Sequence, residues 1–269
     1  MIIDFHTHIF PERIVDRTLE MLTAKGNIEA FSMPTADGLL YEMERSGIDI
    51  SVSMPVITNP LQFDSINRFA SEVNASFSSG ERKIISFGGI HPDCEDIEGK
   101  MRRIKELGFL GVKIHPDYQD HFINDDGYIK ILECARENDL IVLTHTGYDF
   151  LYCEREMRCP TDRLIDLIRR VPYSKLVLAH FGANCFAKEA YDVIAGEDVY
   201  VDTAFMITKI SKELFEKFVS KHGEDRILFA TDSPWADTSE CVEKMRSFNL
   251  PTETEEKIFS KNAIKLLGL

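Results

Sequence analysis

MIIDFHTH, residues 1–8, decides between the two folds that an alternating strand and helix chain most often takes. Ile2, Ile3 and Phe5 give the run the β-branched and aromatic character of a strand, and it ends in His6, Thr7 and His8. An open doubly wound sheet would want a glycine-rich phosphate loop at that point. Two histidines at the end of a first strand instead suit the rim of a closed barrel, where that fold builds its active sites.

The rest of the chain repeats the alternation. Strands are predicted at 2–8, 50–56, 84–90, 111–115, 140–145, 175–180, 199–203 and 226–232. Amphipathic helices are predicted at 67–79, 97–107, 127–138, 161–171, 185–195, 211–221 and 252–267. No Gly/Ser/Pro-rich linker or repeat divides the chain, so residues 1–269 are expected to form one TIM-type (β/α)8 barrel domain.

Charge narrows the partners. The 31 Lys and Arg against 45 Asp and Glu leave a formal charge of -14, which repels phosphate backbones and anionic lipid. Neither nucleic acid nor a membrane is expected as a partner, and no apolar run reaches the ~18 residues of a membrane span. The N-terminal residues lack the pattern of a signal peptide, so a cytoplasmic protein acting on a small molecule is expected, as monomer or homo-oligomer. The six cysteines form no CxxC pair and are expected to be reduced and without a role, Cys153 and Cys159 of one loop included.

Six of the eight histidines, His6, His8, His91, His115, His145 and His180, fall at predicted C-terminal strand ends. His121 and His222 do not, and are expected to be solvated surface residues. Side chains two apart on a strand share a face, which sends His6 and His8 into the mouth and Phe5 and Thr7 toward the helices. The same rule aims His145 inward with Leu143, and His180 inward with Leu178. It also puts Lys113 and His115 inward, opposite Val112 and Ile114. Asp232 closes an otherwise apolar strand, where an unpaired carboxylate would be costly. Singly, the histidine pair could be hydrogen-bonded rim residues and Asp232 a helix cap. Together they favour a divalent metal, which neutral imidazole and carboxylate bind well.

With Asp4, His6 and His8 in a D-x-H-x-H opening and His145, His180 and Asp232 on later strands, the chain resembles the amidohydrolase superfamily. FGGIHP (87–92), GVKIHP (111–116) and ATDSPW (230–235) resemble its amidohydrolase-2 group, which includes aminocarboxymuconate-semialdehyde decarboxylase and metal-dependent hydrolases. The resemblance implies one zinc held by His6, His8, His145 and Asp232, with Asp232 and His180 as the catalytic residues. Other divalent metals fit such donors, and a second metal stays open. In binuclear members His180 would bind it, and Lys113 would bridge after carboxylation. The favoured alternative keeps Lys113 as an ammonium paired with Asp4, Asp202 or an anionic substrate.

The first functional expectation is hydrolysis of a small molecule by metal-activated water. The second is non-oxidative decarboxylation of a small unsaturated or aromatic acid, and a third is a non-catalytic metal-binding barrel. His91 and His115 are substrate contacts or plain rim residues. Arg155 and Arg158 would anchor a substrate carboxylate or, preferentially, belong to a solvated loop. Tyr148, Phe150, Leu151 and Tyr152 would cover a flat ligand or pack on a neighbouring subunit.

Overall fold

The computed structural model describes residues 1–269. Its strands are β1 (Ile3–Thr7), β2 (Ile50–Ser53), β3 (Lys83–Ser86), β4 (Gly88–Gly89), β5 (Gly111–Ile114), β6 (Ile141–Thr144), β7 (Leu176–Leu178), β8 (Tyr200–Asp202) and β9 (Ile227–Leu228). All pairings are parallel, β1 to β3 in one ladder and β4 to β9 in another. β3 and β4 are two parts of one stave, broken at Phe87, whose N–H still bonds the Ser53 carbonyl at 3.0 Å. Nine segments thus make the eight staves of a (β/α)8 barrel.

The barrel closes between its first and last staves. Phe5 N–H donates to Phe229 O at 2.9 Å, Asp232 N–H to His6 O at 2.9 Å, and His8 N–H to Ser233 O at 2.7 Å. Asp4 locks the seam from its side chain. Oδ1 accepts from Thr231 N at 2.9 Å and Oδ2 from Thr231 Oγ1 at 2.6 Å. Burial pushes the Asp4 carboxyl up to about 7 against these bonds. Asp4 is therefore a seam residue and not a partner of Lys113.

Two apolar layers follow from strand alternation. Ile3, Phe5, Val52, Phe87, Leu143, Val177 and Leu228 fill the barrel, while Val112, Ile114, Val142, Leu178 and Phe229 pack under the helices. Two expectations of parity fail here. Between Asp4↔Ser51 and Thr7↔Ser53, β1 advances three residues and β2 two, a bulge that carries one extra residue. Phe5 consequently points inward, edge-on to Phe87 at 5.9 Å, instead of toward the helices. Leu178 faces the helices, so His180 does not share its side. It reaches the mouth because His180 and Phe181 both take positive φ, 58° and 59°, just after β7.

The outer helices obey their caps and faces. In Thr161–Arg170, Leu164, Ile165, Leu167 and Ile168 are buried, and Arg169 and Arg170 sit in the last turn, where the helix dipole favours cations. Three further helices of ten or more residues lie outside the predicted set, Glu12–Gly26, Ala36–Ser46 and Thr238–Ser247, as does the short turn of helix Pro116–Gln119. In the first, Val15 and Leu22 are buried while Ile14 and Met21 are exposed. In the second, Glu42 is buried, held by Arg45 at 2.6 Å and Thr238 at 3.0 Å. The predicted helices at 185–195 and 252–267 are interrupted by π turns at Ala190–Ile194 and Lys257–Lys261. The Ile258 carbonyl of the second accepts from Phe229 N at 2.9 Å. His222 is buried rather than solvated, its Nδ1 accepting from Gly196 N at 3.2 Å. No helix is long and apolar enough to cross a membrane.

Candidate active site at the barrel mouth

His6 and His8 are each fixed through one ring nitrogen. Nδ1 of His6 donates to Asp202 Oδ2 at 2.8 Å, and Nδ1 of His8 to the Met54 carbonyl at 2.9 Å. A carbonyl or a carboxylate only accepts, so each neutral ring keeps its proton on Nδ1 and turns a bare Nε2 to the mouth. Asp232, delivered by a positive φ of 71° after β9, brings Oδ1 to 3.5 Å from the Nε2 of His6 and 3.2 Å from that of His8. Two ligands about 2.1 Å from a tetrahedral ion stand about 3.4 Å apart. Three acceptor atoms at these separations fit a divalent metal.

Asp202, named from the sequence only as a possible partner of Lys113, orients His6 instead. It is fully buried at the end of β8. Its Oδ1 accepts from His180 N at 2.8 Å and Ala204 N at 3.1 Å, while Oδ2 orients His6. Burial pushes its carboxyl up, and those backbone bonds pull the other way. Its inward place, two residues after Tyr200, was legible from alternation. Lys113, also buried, sets Nζ 3.1 Å from His6 Nε2 and makes no ion pair with Asp4 or Asp202. Burial pulls its amine down to about 8, opposed by the charges of Asp232, Asp202 and Asp149, so it stays mostly protonated at pH 7.

His145 is grouped with His115 and Asp149, and its buried Nε2 has no hydrogen-bond partner in the protein. His145 Nδ1 meets His180 Nε2 at 3.1 Å, and His180 Nδ1 meets the Ala204 carbonyl at 2.9 Å. His115 stacks between Tyr118, at 3.9 Å, and His145, at 4.2 Å, and its Nε2 is 3.4 Å from Asp149 Oδ2. Asp149 was not singled out in the sequence, since only the fold brings its loop over β5. Burial pushes its carboxyl up to about 7.

The other candidates are occupied elsewhere. Arg155 and Arg158 both hold Asp120, at 3.1 and 2.9 Å, and Arg155 lies on the Tyr152 ring at 3.8 Å. They tie two loops together and leave no free guanidinium for a substrate. His91, which is buried, accepts from Asp93 N at 3.1 Å and neighbours His121, which bonds Asp93 at 2.9 Å, in a separate group. Tyr148, Phe150 and Phe205 form an edge-on chain over the mouth, with ring separations of 5.3 and 5.7 Å.

Gly147 sets this covering loop in place. It has φ of +79° and bridges to Asn184, and a Cβ there would lie 2.2 Å from the Asn184 nitrogen. Gly147→Ala is expected to cost upwards of ~2 kcal/mol and lower the melting temperature by several degrees. An unchanged thermal melt would show that the loop is not clamped at this point.

Residues 3–269 match the family profile described as amidohydrolase. The chain belongs to that family. This amidohydrolase is accordingly an enzyme, and the non-catalytic barrel is set aside. Solved structures similar to it span nearly its whole length. One is 2,6-dihydroxybenzoate decarboxylase from Rhizobium, at 14% identity and TM-score 0.75, covering 99% of this chain and 98% of that one. Another is 5-carboxyvanillate decarboxylase from Novosphingobium aromaticivorans, complexed with manganese and 4-hydroxy-3-methoxy-5-nitrobenzoic acid, at 17% identity and TM-score 0.76, covering 100% and 96%. A third is a dihydroxybenzoic acid decarboxylase from Polaromonas with bound manganese and 2-nitroresorcinol, at 16% identity and TM-score 0.73, covering 100% and 97%. At such identities the likeness is one of fold. No curated protein matches the sequence.

Proposed function

We propose that this amidohydrolase is a divalent-metal-dependent, non-oxidative decarboxylase of a small aromatic carboxylic acid. The observation that carries the reading is the pairing of one metal-fitting triad, His6, His8 and Asp232, with a flat wall of stacked rings, Tyr118, His115 and His145. The aromatic-acid decarboxylases among its structural neighbours, some with manganese bound, support it. Hydrolysis, placed first on sequence, becomes the second reading. Its binuclear form asks Lys113 to bridge two metals, whereas Lys113 Nζ faces a single imidazole.

Decarboxylation breaks the bond between a ring carbon and its carboxylate, leaves the electron pair on the ring carbon, and requires a proton there as carbon dioxide departs. A bound divalent metal would supply Lewis acidity toward substrate oxygens. Asp202 and Met54 fix the two rings that would hold it. The Lys113 ammonium adds a buried positive charge that favours an anionic substrate in the mouth. Asp232, with 11% of its side chain exposed, is held as a carboxylate by its contacts with His8, His180 and Lys113, so its role is to take a proton from a substrate hydroxyl or from water in the mouth and pass that proton to the ring carbon. His180 is neutral at pH 7, burial pulling it down to about 4, and serves as a hydrogen-bonding group rather than an acid.

The test is metal analysis joined to product analysis. About one divalent ion per chain is expected, lost in His6→Ala, with zinc and manganese both suited to the donors. The loaded protein should release carbon dioxide from 2,6-dihydroxybenzoate or 5-carboxyvanillate. Ester or lactone cleavage with no carbon dioxide from any hydroxylated benzoate would return hydrolysis to first place.

A further inference from the structure

An acid approaching this chain meets a formal charge of -14, so it needs a cation at the rim to receive it. Arg155 and Arg158 both bond Asp120, and Lys113 is buried against His6, out of reach of a ligand still in solvent. Lys209 is an unpaired cation at that rim. It stands on the segment between β8 and the helix Lys212–His222. Two bonds pin the segment to the mouth: Phe205 N–H donates to Thr231 O at 3.0 Å, beside Asp232, and the Ala204 carbonyl accepts from His180 Nδ1 at 2.9 Å. The N–H groups of Lys209 and Ile210 both donate to the Met206 carbonyl at 3.0 Å, which fixes where the lysine leaves the backbone. Its side chain is exposed and lies along the aromatic chain over the mouth, with Nζ 2.9 Å from the centre of the Phe205 ring and 5.9 Å from that of Phe150. The ammonium has neither a carboxylate partner nor a hydrogen bond in the protein, although the charge of Asp232 reaches it as it reaches Lys113.

An ammonium on the face of an exposed ring is held more weakly than one bonded to a carboxylate in a partly closed site. The face of Phe205 is therefore a resting place from which a carboxylate can draw the amine. The flexible four-carbon stem of lysine lets the charge swing while the backbone stays fixed. Asp232 does not draw it, because Oδ1 of that residue already faces His6 and His8. We propose that Lys209 is the carboxylate-binding residue of the mouth, its ammonium leaving the face of Phe205 for the acid group of an entering ligand. It makes the mouth select acids over neutral amides of the same shape. The assignment rests on the decarboxylase reading for the acid group of the substrate, while anion binding itself does not depend on turnover.

Lys209→Met is the discriminating variant. Methionine keeps an unbranched apolar stem against Phe205 and removes the charge, and at an exposed position the fold is retained. Calorimetric titration of the purified full chain, with zinc or manganese added, compares benzoate with benzamide, a neutral ligand of nearly the same shape. The expected result is that benzoate binds the native chain, that Lys209→Met raises its dissociation constant about tenfold or more, and that benzamide binds both proteins alike. Added salt should weaken benzoate binding more in the native chain than in Lys209→Met. No binding of benzoate to the native chain, or equal benzoate affinity in the two proteins, overturns the proposal. An equal loss for benzamide overturns it as well, because the side chain would then act by packing and not by charge. Benzoate binding that depends on Lys209 in a protein that releases no carbon dioxide from any hydroxylated benzoate keeps the anchor and removes the decarboxylase reading alone. Carbon dioxide release together with an unaltered benzoate affinity in Lys209→Met does the reverse.

Discussion

Asp232→Asn is expected to lower kcat by about 10³-fold or more, near 4 kcal/mol of barrier, when assayed at saturating metal. Asn has the size of Asp and can still offer an oxygen to the His6 and His8 group. It loses the negative charge and the capacity to carry a proton on a carboxyl oxygen. Both losses fall on the same step, because Asp232 faces the two imidazoles through Oδ1 and remains the triad member open to the mouth as a carboxyl. Parallel elemental analysis separates the causes. Turnover that stays down with the metal retained assigns a proton-transfer role, and turnover restored by excess metal would reduce Asp232 to a ligand. A variant with full activity at ordinary metal would remove Asp232 from the chemistry altogether.

Phe5→Ala is expected to destabilise the fold by about 3–5 kcal/mol, a fall on the order of 10 °C in melting temperature. Phe5 is completely buried and meets Phe87 edge-on inside the barrel, at the level where β3 breaks and β4 begins. A cavity there cannot be filled from the helical layer, because the stave backbone stands between. Chemical or thermal denaturation measures it. A cost below ~1 kcal/mol would mean that Phe5 lies on the more adaptable outer layer and that β1 runs without its bulge.

Much of the mouth was legible because strand ends announce themselves. His6, His8 and Asp232 stand at the ends of apolar runs, and the structure brings them together. Alternation also placed Lys113 and His115 correctly on the inner face, since β5 pairs in regular register with β6. It misplaced Phe5 because a bulge adds a residue with no compositional mark. It gave the wrong reason for His180, which arrives by two left-handed residues and not by sharing the face of Leu178. Asp149, and the use of Arg155 and Arg158 on Asp120, depend on loops meeting across the rim, information that no local period carries. The outer helices Glu12–Gly26 and Ala36–Ser46 bury one face as the predicted helices do, so their period was present in the sequence and went unread.

The Asp4 to Thr231 seam joins residues 227 positions apart. At a synthesis rate of about 5–20 residues per second, roughly 10–45 s separate the appearance of the two. During that interval β1 has an unpaired edge beside β2, and His6 and His8 lack Asp202 and Asp232. The ribosome therefore releases the two halves of the metal-fitting triad in strict sequence. Until Asp232 emerges, His6 and His8 stand without the carboxylate that completes their group, so that group forms only with the closing of the barrel.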